Sequence, residues 1–177
     1  MVNYLQVGHI SEHSTIYGPG TRFVIWLQGC TLACKGCWNK QYWPVKGGAS
    51  YSVQELVEMI NRTSHIEGIT LLGGEPLQQS EPVSNLISEV KKMGKTVFLY
   101  TGYNVEEFDE VMRSCFDNSD IVVTGRYEKE LRNTNLRWRG SENQKIHFPT
   151  SHYNLDSLEE RNEIEFVVNG DGTLEMY

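Results

Sequence analysis

The chain has 177 residues, of which 39% are hydrophobic and 22% are charged. This length predicts a single domain over residues 1–177 and excludes a complete eight-unit β/α barrel, which needs at least about 200 residues. The net charge of −7 disfavours nonspecific binding to nucleic acid or to an anionic membrane. The sequence contains neither a signal-peptide pattern nor a run of about 20 apolar residues, so we expect a cytoplasmic protein.

The first strong pattern along the chain is a short apolar run, Phe23–Gln28, which predicts a buried strand. A long irregular stretch that contains three cysteines follows it. Apolar residues then recur at helical spacing from Val53 to Ile60, and Ser52 with Glu55 forms a capping-box pattern. These features predict a helix after the cysteine segment.

Strand and helix patterns alternate from there to Gly125. The predicted strands are Ile69–Leu72, Thr96–Tyr100 and Ile121–Thr124. One predicted helix carries Val83, Leu86, Ile87 and Val90 and ends at Gly94; a second begins at Asn104, with Glu107, and carries Phe108, Val111, Met112 and Cys115. Because Cys115 continues an apolar stripe, we interpret it as a core residue rather than as a metal ligand.

The last predicted strand is Ile164–Val168, and the turn residues 169–172 after it predict a terminal hairpin over residues 164–176. The order βαβαβαβ predicts an α/β fold with a mainly parallel sheet. Ligands of such sheets bind at the carboxyl ends of the strands. The cysteine segment and Gly73–Pro76 both directly follow strands, so we expect them to share one edge of the sheet.

The spacing Cys30-x3-Cys34-x2-Cys37 is the strongest chemical pattern in the chain. Three thiolates on one short loop can hold three corners of a cubane iron–sulfur cluster. With no fourth cysteine nearby, one iron would stay open to a small molecule, as in reactive rather than structural sites. The alternatives are a structural zinc loop, which normally has a second pair of ligands, and unrelated buried cysteines.

The segment Gly73–Gly74–Glu75–Pro76 is the second pattern. Glycines allow the backbone to approach a ligand closely, and a carboxylate accepts hydrogen bonds from an ammonium group. Taken alone, the segment is more typical of an ordinary strand-to-loop turn. Beside an open-site cluster on the same edge, it predicts a site for the amine of a bound ligand.

Together these motifs resemble the radical S-adenosylmethionine superfamily, in which Cys-x3-Cys-x2-Cys binds the cluster and a GGEP-type segment contacts the methionyl amine. Within it, the chain is most similar to glycyl-radical activating enzymes, specifically those of anaerobic (class III) ribonucleotide reductase. The resemblance lies within residues 18–146. It is carried by Gly18–Arg22, Gly29–Asn39, Gly73–Pro76, Leu99–Tyr103 and Leu136–Gln144.

The resemblance implies an incomplete, open β/α barrel that binds one [4Fe-4S] cluster and S-adenosylmethionine. It implies that the reduced cluster cleaves this molecule to methionine and a 5′-deoxyadenosyl radical, which takes hydrogen from a glycine of a large partner enzyme. An electron donor such as flavodoxin or ferredoxin is also implied. The site residues implied are Cys30, Cys34 and Cys37 for iron, Gly73, Gly74 and Glu75 for the methionyl end, and Thr101, Gly102 and Trp38 as further cofactor contacts.

Two positions depart from the family pattern. Gly36 stands before the third cysteine, where many members of the superfamily carry an aromatic residue. Thr124 stands where reductase activators often carry an aspartate, which leaves the substrate open. Alternative functions are a radical S-adenosylmethionine enzyme acting on a small molecule or peptide, and a noncatalytic metal-binding interaction module.

Several further residues allow two interpretations. Trp38 and Trp43 would shield the cluster loop from water or recognise a partner. Arg22 is either an ordinary charge at a strand end or a functional group. Arg137, Arg139 and Asn143 either meet the cofactor or partner, or form a solvated loop held by its own hydrogen bonds.

Overall fold

A seven-stranded mixed sheet organises the computed structural model, which describes residues 3–157, 166–168 and 173–176. The strands of this sheet are β1 (Tyr4–Ser14), β2 (Arg22–Leu27), β3 (Ala49–Ser52), β4 (Gly68–Gly73), β5 (Thr96–Tyr100), β6 (Ile121–Thr124) and β7 (Lys145–His147). Their order across the sheet is β3-β1-β2-β4-β5-β6-β7. The helices are α1 (Val53–Arg62), α2 (Ser80–Lys92) and α3 (Glu110–Asp117).

The four central strands, β2, β4, β5 and β6, are parallel to one another, as the alternating pattern predicts. Every residue of β2 and of β6 is buried, which accounts for their continuous apolar runs. The prediction of a mainly parallel sheet is too strong, however. Three of the six strand pairings in the described part of this seven-stranded sheet are antiparallel, because β1, β3 and β7 extend it at its two sides.

Local capping chemistry decides where the helices begin. The predicted capping box of α1 is present: the Ser52 hydroxyl accepts from the Glu55 amide at 3.2 Å, and the Glu55 carboxylate accepts from the Ser52 amide at 2.7 Å. The helix predicted from Asn104 is wrong in its start. Residues Val105–Glu107 form only a short 3₁₀ turn, and α3 begins later because Asp109 accepts from the Met112 amide at 2.8 Å.

The three helices pack against one face of the sheet and form the larger core. Alternate strand residues such as Ile25, Leu71 and Leu99 point into this core, where they meet the apolar stripes of α1, α2 and α3. Cys115 lies there with no exposed surface, its thiol within 3.5 Å of the Ser80 carbonyl, and burial raises its pKa to about 12. Its interpretation as a core residue agrees with this position.

The opposite face of the sheet is covered by aromatic side chains instead of helices. Val24, Trp26 and Leu72 pack with tyrosines there, and Phe98 stacks on Tyr100 with ring centroids 4.6 Å apart. This aromatic face leads to the carboxyl ends of the parallel strands.

Arg22 is buried at the amino end of β2, opposite to the end that carries the cysteines. Its guanidinium donates to the Thr96 hydroxyl at 2.6 Å, to the Ile69 carbonyl at 2.5 Å and to the Thr70 hydroxyl at 3.3 Å. The residue therefore ties three strands together at their amino ends and lies away from the cysteine loop.

The described part of the C-terminal region contains two further strands, β8 (Phe166–Val168) and β9 (Leu174–Met176), which pair antiparallel as the hairpin prediction requires. The predicted start of this strand at Ile164 and the turn at residues 169–172 lie outside the described residues. Among the residues that are described, no helix combines the length and the apolar character needed to cross a membrane.

Candidate functional site

A cavity of about 640 Å³ opens at the carboxyl ends of the parallel strands. The nine predicted site residues all line it: Cys30, Cys34, Cys37, Trp38, Gly73, Gly74, Glu75, Thr101 and Gly102. They come from the segments that follow β2, β4 and β5. The expectation that the cysteine segment and Gly73–Pro76 share one edge of the sheet is therefore met.

The cysteine loop is anchored at its base by backbone hydrogen bonds. The Cys30 amide donates to the Trp43 carbonyl at 3.0 Å, and the Cys37 amide donates to the Cys34 carbonyl at 3.1 Å. Gly36 has a φ of +80°, a conformation that side chains rarely adopt. An aromatic residue at this position would be strained in this loop conformation.

The three thiols fit an iron–sulfur cluster by the chemistry of their donors. All three are free and half-buried, and burial raises the pKa of Cys30 and of Cys34. The Asn39 amide donates to the Cys37 sulfur at 3.4 Å, a contact typical of cluster loops. In the described part of the chain, no three His, Cys, Asp or Glu side chains converge as ligands of a single metal ion. Cubane clusters do not require such convergence, because each cysteine binds a different iron.

Gly74 lies where the segment after β4 passes close to the cysteine loop. A Cβ atom on Gly74 would overlap the Gly29 carbonyl oxygen and lie 2.9 Å from the Tyr42 carbonyl oxygen. The Glu75 amide donates to the same Gly29 carbonyl at 2.9 Å. Only glycine allows this approach, so the two motifs are held together by direct backbone contact.

Glu75 is buried at the base of the cavity, where its carboxylate joins the ends of two strands. One oxygen accepts from the Thr101 hydroxyl at 2.8 Å and from the Leu77 amide at 2.9 Å, and the other accepts from the Gly102 amide at 2.7 Å. Burial raises the pKa of Glu75 to about 7, although these hydrogen bonds act to lower it. An ionised carboxylate has room for another donor, so Glu75 can still accept from an ammonium group.

Comparison with known proteins agrees with this arrangement. Residues 16–147 match the model of a family described as a 4Fe-4S single cluster domain. The anaerobic ribonucleoside-triphosphate reductase-activating protein of Enterobacteria phage T4 is 36% identical over 137 residues, which cover 74% of this chain and 86% of that protein. The protein of that name from Haemophilus influenzae is 34% identical over 154 residues, covering 82% of this chain and 97% of that one.

The chain belongs to the family of anaerobic ribonucleoside-triphosphate reductase-activating proteins. The member from Escherichia coli is 31% identical over 140 residues, which cover 75% of this chain and 91% of that protein. Among solved structures, the crystal structure of QueE from Escherichia coli aligns with a TM-score of 0.45 and 19% identity, covering 56% of this chain and 52% of that one.

The segment between β6 and β7 contributes to the cavity, and it contains the Leu136–Gln144 motif that resembles the family. Arg137, Trp138 and Arg139 line the cavity, and Trp138 packs edge-on against Phe98 with ring centroids 5.2 Å apart. The Arg139 Nε atom is buried and has no hydrogen-bond partner within the described part of the chain. Both arginines thus lie where a cofactor or partner would meet them, as one of the two interpretations expects.

The amides of the same motif hold the segment in shape. The Asn143 side chain donates to the Arg126 carbonyl at 2.8 Å, and the Gln144 side chain donates to the Gly125 carbonyl at 3.0 Å. The amide nitrogen of Asn143 thus belongs to a loop held by its own hydrogen bonds, whereas its Oδ1 atom is buried without a hydrogen-bond partner among the described residues, so both interpretations of this residue stay open.

Arg126 is a residue of this site that the sequence analysis did not single out. Its guanidinium forms an ion pair with Glu107 and lies 5.1 Å from the centre of the Tyr103 ring. Its positive charge acts to lower the pKa of Cys34 and of Glu75, so it lies close to both motifs. The available sequence signal was its position directly after Gly125, at the end of a predicted strand.

Thr124, the second departure from the family pattern, does not line the cavity. Its side chain is buried and lies 2.8 Å from Nε2 of His147 on the neighbouring strand β7. A smaller cavity of about 200 Å³ borders both residues. Thr124, the residue whose departure from the family pattern leaves the identity of the substrate open, is thus separated from the cavity that contains the cysteines.

The two tryptophans of the cysteine loop differ in exposure. Trp43 is half-buried and lines the cavity, as shielding of the loop requires. Trp38 is 59% exposed, and Arg132 lies over its ring at 5.2 Å. Shielding from water is therefore incomplete at Trp38, whose ring is available to a partner.

Proposed function

We propose that this chain activates an anaerobic ribonucleoside-triphosphate reductase by generating a radical on one of its glycines, as a radical S-adenosylmethionine enzyme. The observation that carries this proposal is that the three cysteines and Gly73–Glu75 line the same cavity. The names of the relatives supply the partner, since they are activating proteins of that reductase.

In this proposal the cavity residues divide into three groups. Cys30, Cys34 and Cys37 ligate one [4Fe-4S] cluster and leave one iron for S-adenosylmethionine. Gly73, Gly74 and Glu75 hold the methionyl amine. Thr101 and Gly102 fix the Glu75 carboxylate from the next strand, and Trp38 flanks the cofactor at the mouth of the cavity.

The cluster supplies, when bound, the single electron that cleaves S-adenosylmethionine to methionine and the 5′-deoxyadenosyl radical that abstracts hydrogen from glycine. The protein contributes position and exclusion of water. Glu75, ionised above a pH of about 7, accepts from the ammonium group at a buried position where such an interaction is strong. The aromatic residues Tyr100 and Trp138 limit the access of water to the radical.

The sheet has two free edges, β3 and β7, in its described part. We propose that it curves as an incomplete barrel, so that a glycine segment of a large protein reaches the cavity. A single domain over residues 1–177, a cytoplasmic location and an electron donor such as flavodoxin or ferredoxin belong to the same proposal.

Anaerobic reconstitution with iron and sulfide tests this function. We expect about four irons per chain, formation of 5′-deoxyadenosine after reduction with S-adenosylmethionine present, and a glycyl radical signal in electron paramagnetic resonance when the reductase is added. If the reduced cluster forms no 5′-deoxyadenosine, the proposed radical S-adenosylmethionine activity is contradicted. One tightly held zinc in protein purified without oxygen would favour the interaction module.

Two cysteine variants provide a matched comparison. Cys34→Ala removes a proposed ligand, and we expect it to lose both the cluster and 5′-deoxyadenosine formation. Cys115→Ala removes a cysteine in the helical core, and we expect it to keep both, at a cost in stability alone. Equal losses in the two variants would contradict the assignment of the ligands.

A further inference from the structure

Positive charge is concentrated on two segments beside the cavity. Residues 29–54 contain three lysines and neither Asp nor Glu, and residues 126–145 contain six Arg and Lys against three Glu. The rest of the chain contains seven Arg and Lys against twenty Asp and Glu. This acidic chain thus carries its excess of positive charge in two segments, residues 29–54 and 126–145.

The two segments touch each other and form one surface. The Lys35 amino group lies 3.5 Å from the Glu130 carboxylate, and the Lys129 side chain packs over Gly36. The rings of Trp38 and Tyr127 lie 6.2 Å apart. Five of the six exposed cations in the two segments form what we call the basic collar: Lys35, Lys40, Lys46, Lys129 and Arg132. The sixth, Lys145, lines the smaller cavity instead.

The basic collar lies on the outside of the cysteine loop. Its five side chains are exposed, and none of them lines the cavity into which the cysteines point. Two large apolar side chains lie among them, Trp38 at 59% exposure and Val45 at 68%. Lys35 stands between Cys34 and Cys37, so a molecule bound to the collar would lie directly against the loop that holds the proposed ligands.

We propose that the basic collar is the docking surface of a small acidic protein that carries one electron. This inference rests on the proposed function, in which the cysteine loop holds a cluster that must be reduced. The donor loses one electron and the cluster gains it, and no atom is transferred. Small, mainly electrostatic contact areas are typical of such short-lived complexes, because opposite charges accelerate encounter without binding the partners tightly.

The position of the collar favours the electron donor over the reductase as its occupant. A glycine segment of the reductase has to enter the cavity to reach the radical, whereas the collar cations do not line the described cavity. An electron donor needs only to approach the outer side of the cysteine loop.

The test measures how fast reduced flavodoxin, an acidic electron carrier, reduces the reconstituted protein in a stopped-flow instrument. The variant Lys40→Glu/Lys46→Glu reverses two collar charges. The control Arg62→Glu/Lys92→Glu makes the same change in net charge on exposed ends of α1 and α2. We expect the collar variant to lower the second-order rate constant about tenfold at low salt, with the difference closing near about 0.3 M salt, and the control to remain within about twofold.

Reduction by photoreduced deazaflavin, a small uncharged donor, separates this inference from the proposed function. With deazaflavin, wild type and both variants should reduce their clusters and form 5′-deoxyadenosine equally. Failure of the wild type to form it would defeat the proposed function. Equal rates with flavodoxin for wild type and collar variant, or equal losses in collar variant and control, would overturn the docking surface. A defect confined to glycyl radical formation after deazaflavin reduction would assign the collar to the reductase and also overturn the proposal.

Discussion

At the scale of single residues, burial and hydrogen bonding act in opposite directions on the protonation state of Glu75. Its carboxylate is buried, which favours the protonated form, yet three donors from the chain favour the ionised form. The balance leaves the pKa at about 7, compared with an ordinary value of 4.5. In the proposed function Glu75 must be ionised to bind an ammonium group, and in that form it lowers the stability of the folded protein.

The pH dependence of stability tests this balance. Because the folded pKa lies above the unfolded one, Glu75 stabilises the protein fully below pH 4.5, and this contribution is lost as the pH rises through 7. Between pH 5 and 8 the loss amounts to about 2–3 kcal/mol. Glu75→Gln has no titration, so urea unfolding should show wild type losing about that much relative to the variant. Parallel pH profiles for the two proteins would contradict the raised pKa.

Gly74 supports a second prediction at this scale, because only glycine fits against the cysteine loop. Gly74→Ala should lower the free energy of unfolding by about 2 kcal/mol and reduce the iron bound after reconstitution. Gly94→Ala provides the control, since Gly94 has a φ of +71° but nothing within 4 Å of the added atom. Gly94→Ala should lower the free energy of unfolding by about 1 kcal/mol and leave the iron content unchanged. Full iron content in Gly74→Ala would contradict the prediction.

At the scale of elements, Asp120, directly before β6, connects a helix with the strand β5 and the segment after β7. Its carboxylate accepts from the Lys91 amino group at the end of α2 at 2.7 Å, from the Val97 amide of β5 at 2.8 Å and from the Thr150 hydroxyl at 2.7 Å. Burial acts to raise the pKa of Asp120, but these three donors outweigh it and hold the pKa below its usual value. The side chain has no exposed surface, so none of these contacts is replaced by water.

Asp120→Asn should therefore destabilise the protein by about 2–3 kcal/mol in urea unfolding at pH 7, because it leaves Lys91 without its counter-ion. The ion pair of Glu89 with Lys92 on the same helix serves as the control, since both of its side chains are largely exposed. Glu89→Gln should change the free energy of unfolding by less than about 0.5 kcal/mol. Similar effects of the two substitutions would show that burial of Asp120 is unimportant.

Elements also differ in how far the sequence predicts them. The central strands β2, β4, β5 and β6 fall within one residue of their predicted bounds, because burial on both faces demands continuous apolar runs. The strands β1, β3 and β7 were missed. Only Leu5 and Val7 are buried apolar residues of β1, and β3 reads ASYS, so backbone pairing with neighbours rather than an apolar pattern determines these strands.

The location of the cavity could be predicted only in part from the sequence. The segments after β2, β4 and β5 follow recognisable strands, so their common location at the sheet edge could be predicted. The long segment between β6 and β7 has no periodic pattern. Its contribution depends on contacts such as Trp138 with Phe98 and Arg126 with Glu107, which join residues far apart in the sequence.

At the scale of the whole molecule, the cavity unites segments from residue 15 to residue 144. A ligand that binds there only in the folded state stabilises the folded chain against the unfolded one. The binding of S-adenosylmethionine should therefore be visible as a change in global stability.

S-adenosylmethionine at about 100 times its dissociation constant should raise the free energy of unfolding of the reconstituted protein by about 2.7 kcal/mol, which corresponds to a rise in Tm of about 5–10 °C. Differential scanning calorimetry under anaerobic conditions measures this. Cys34→Ala, without a cluster, should show little of the rise. An unchanged Tm in the reconstituted wild type would contradict binding in the cavity.

The two free edges of the sheet have a consequence for self-association. Unpaired strand edges offer backbone groups to other chains and promote aggregation. Here the edge strand β3 has only four residues and β7 only three, and β7 begins with the exposed Lys145. The described edges of the seven-stranded sheet therefore expose few unpaired backbone groups, and a charged side chain lies beside one of them. Two copies of the chain have no long edge there along which to pair. The described edges that the proposed function leaves free for a large substrate are therefore too short to act as a template for aggregation.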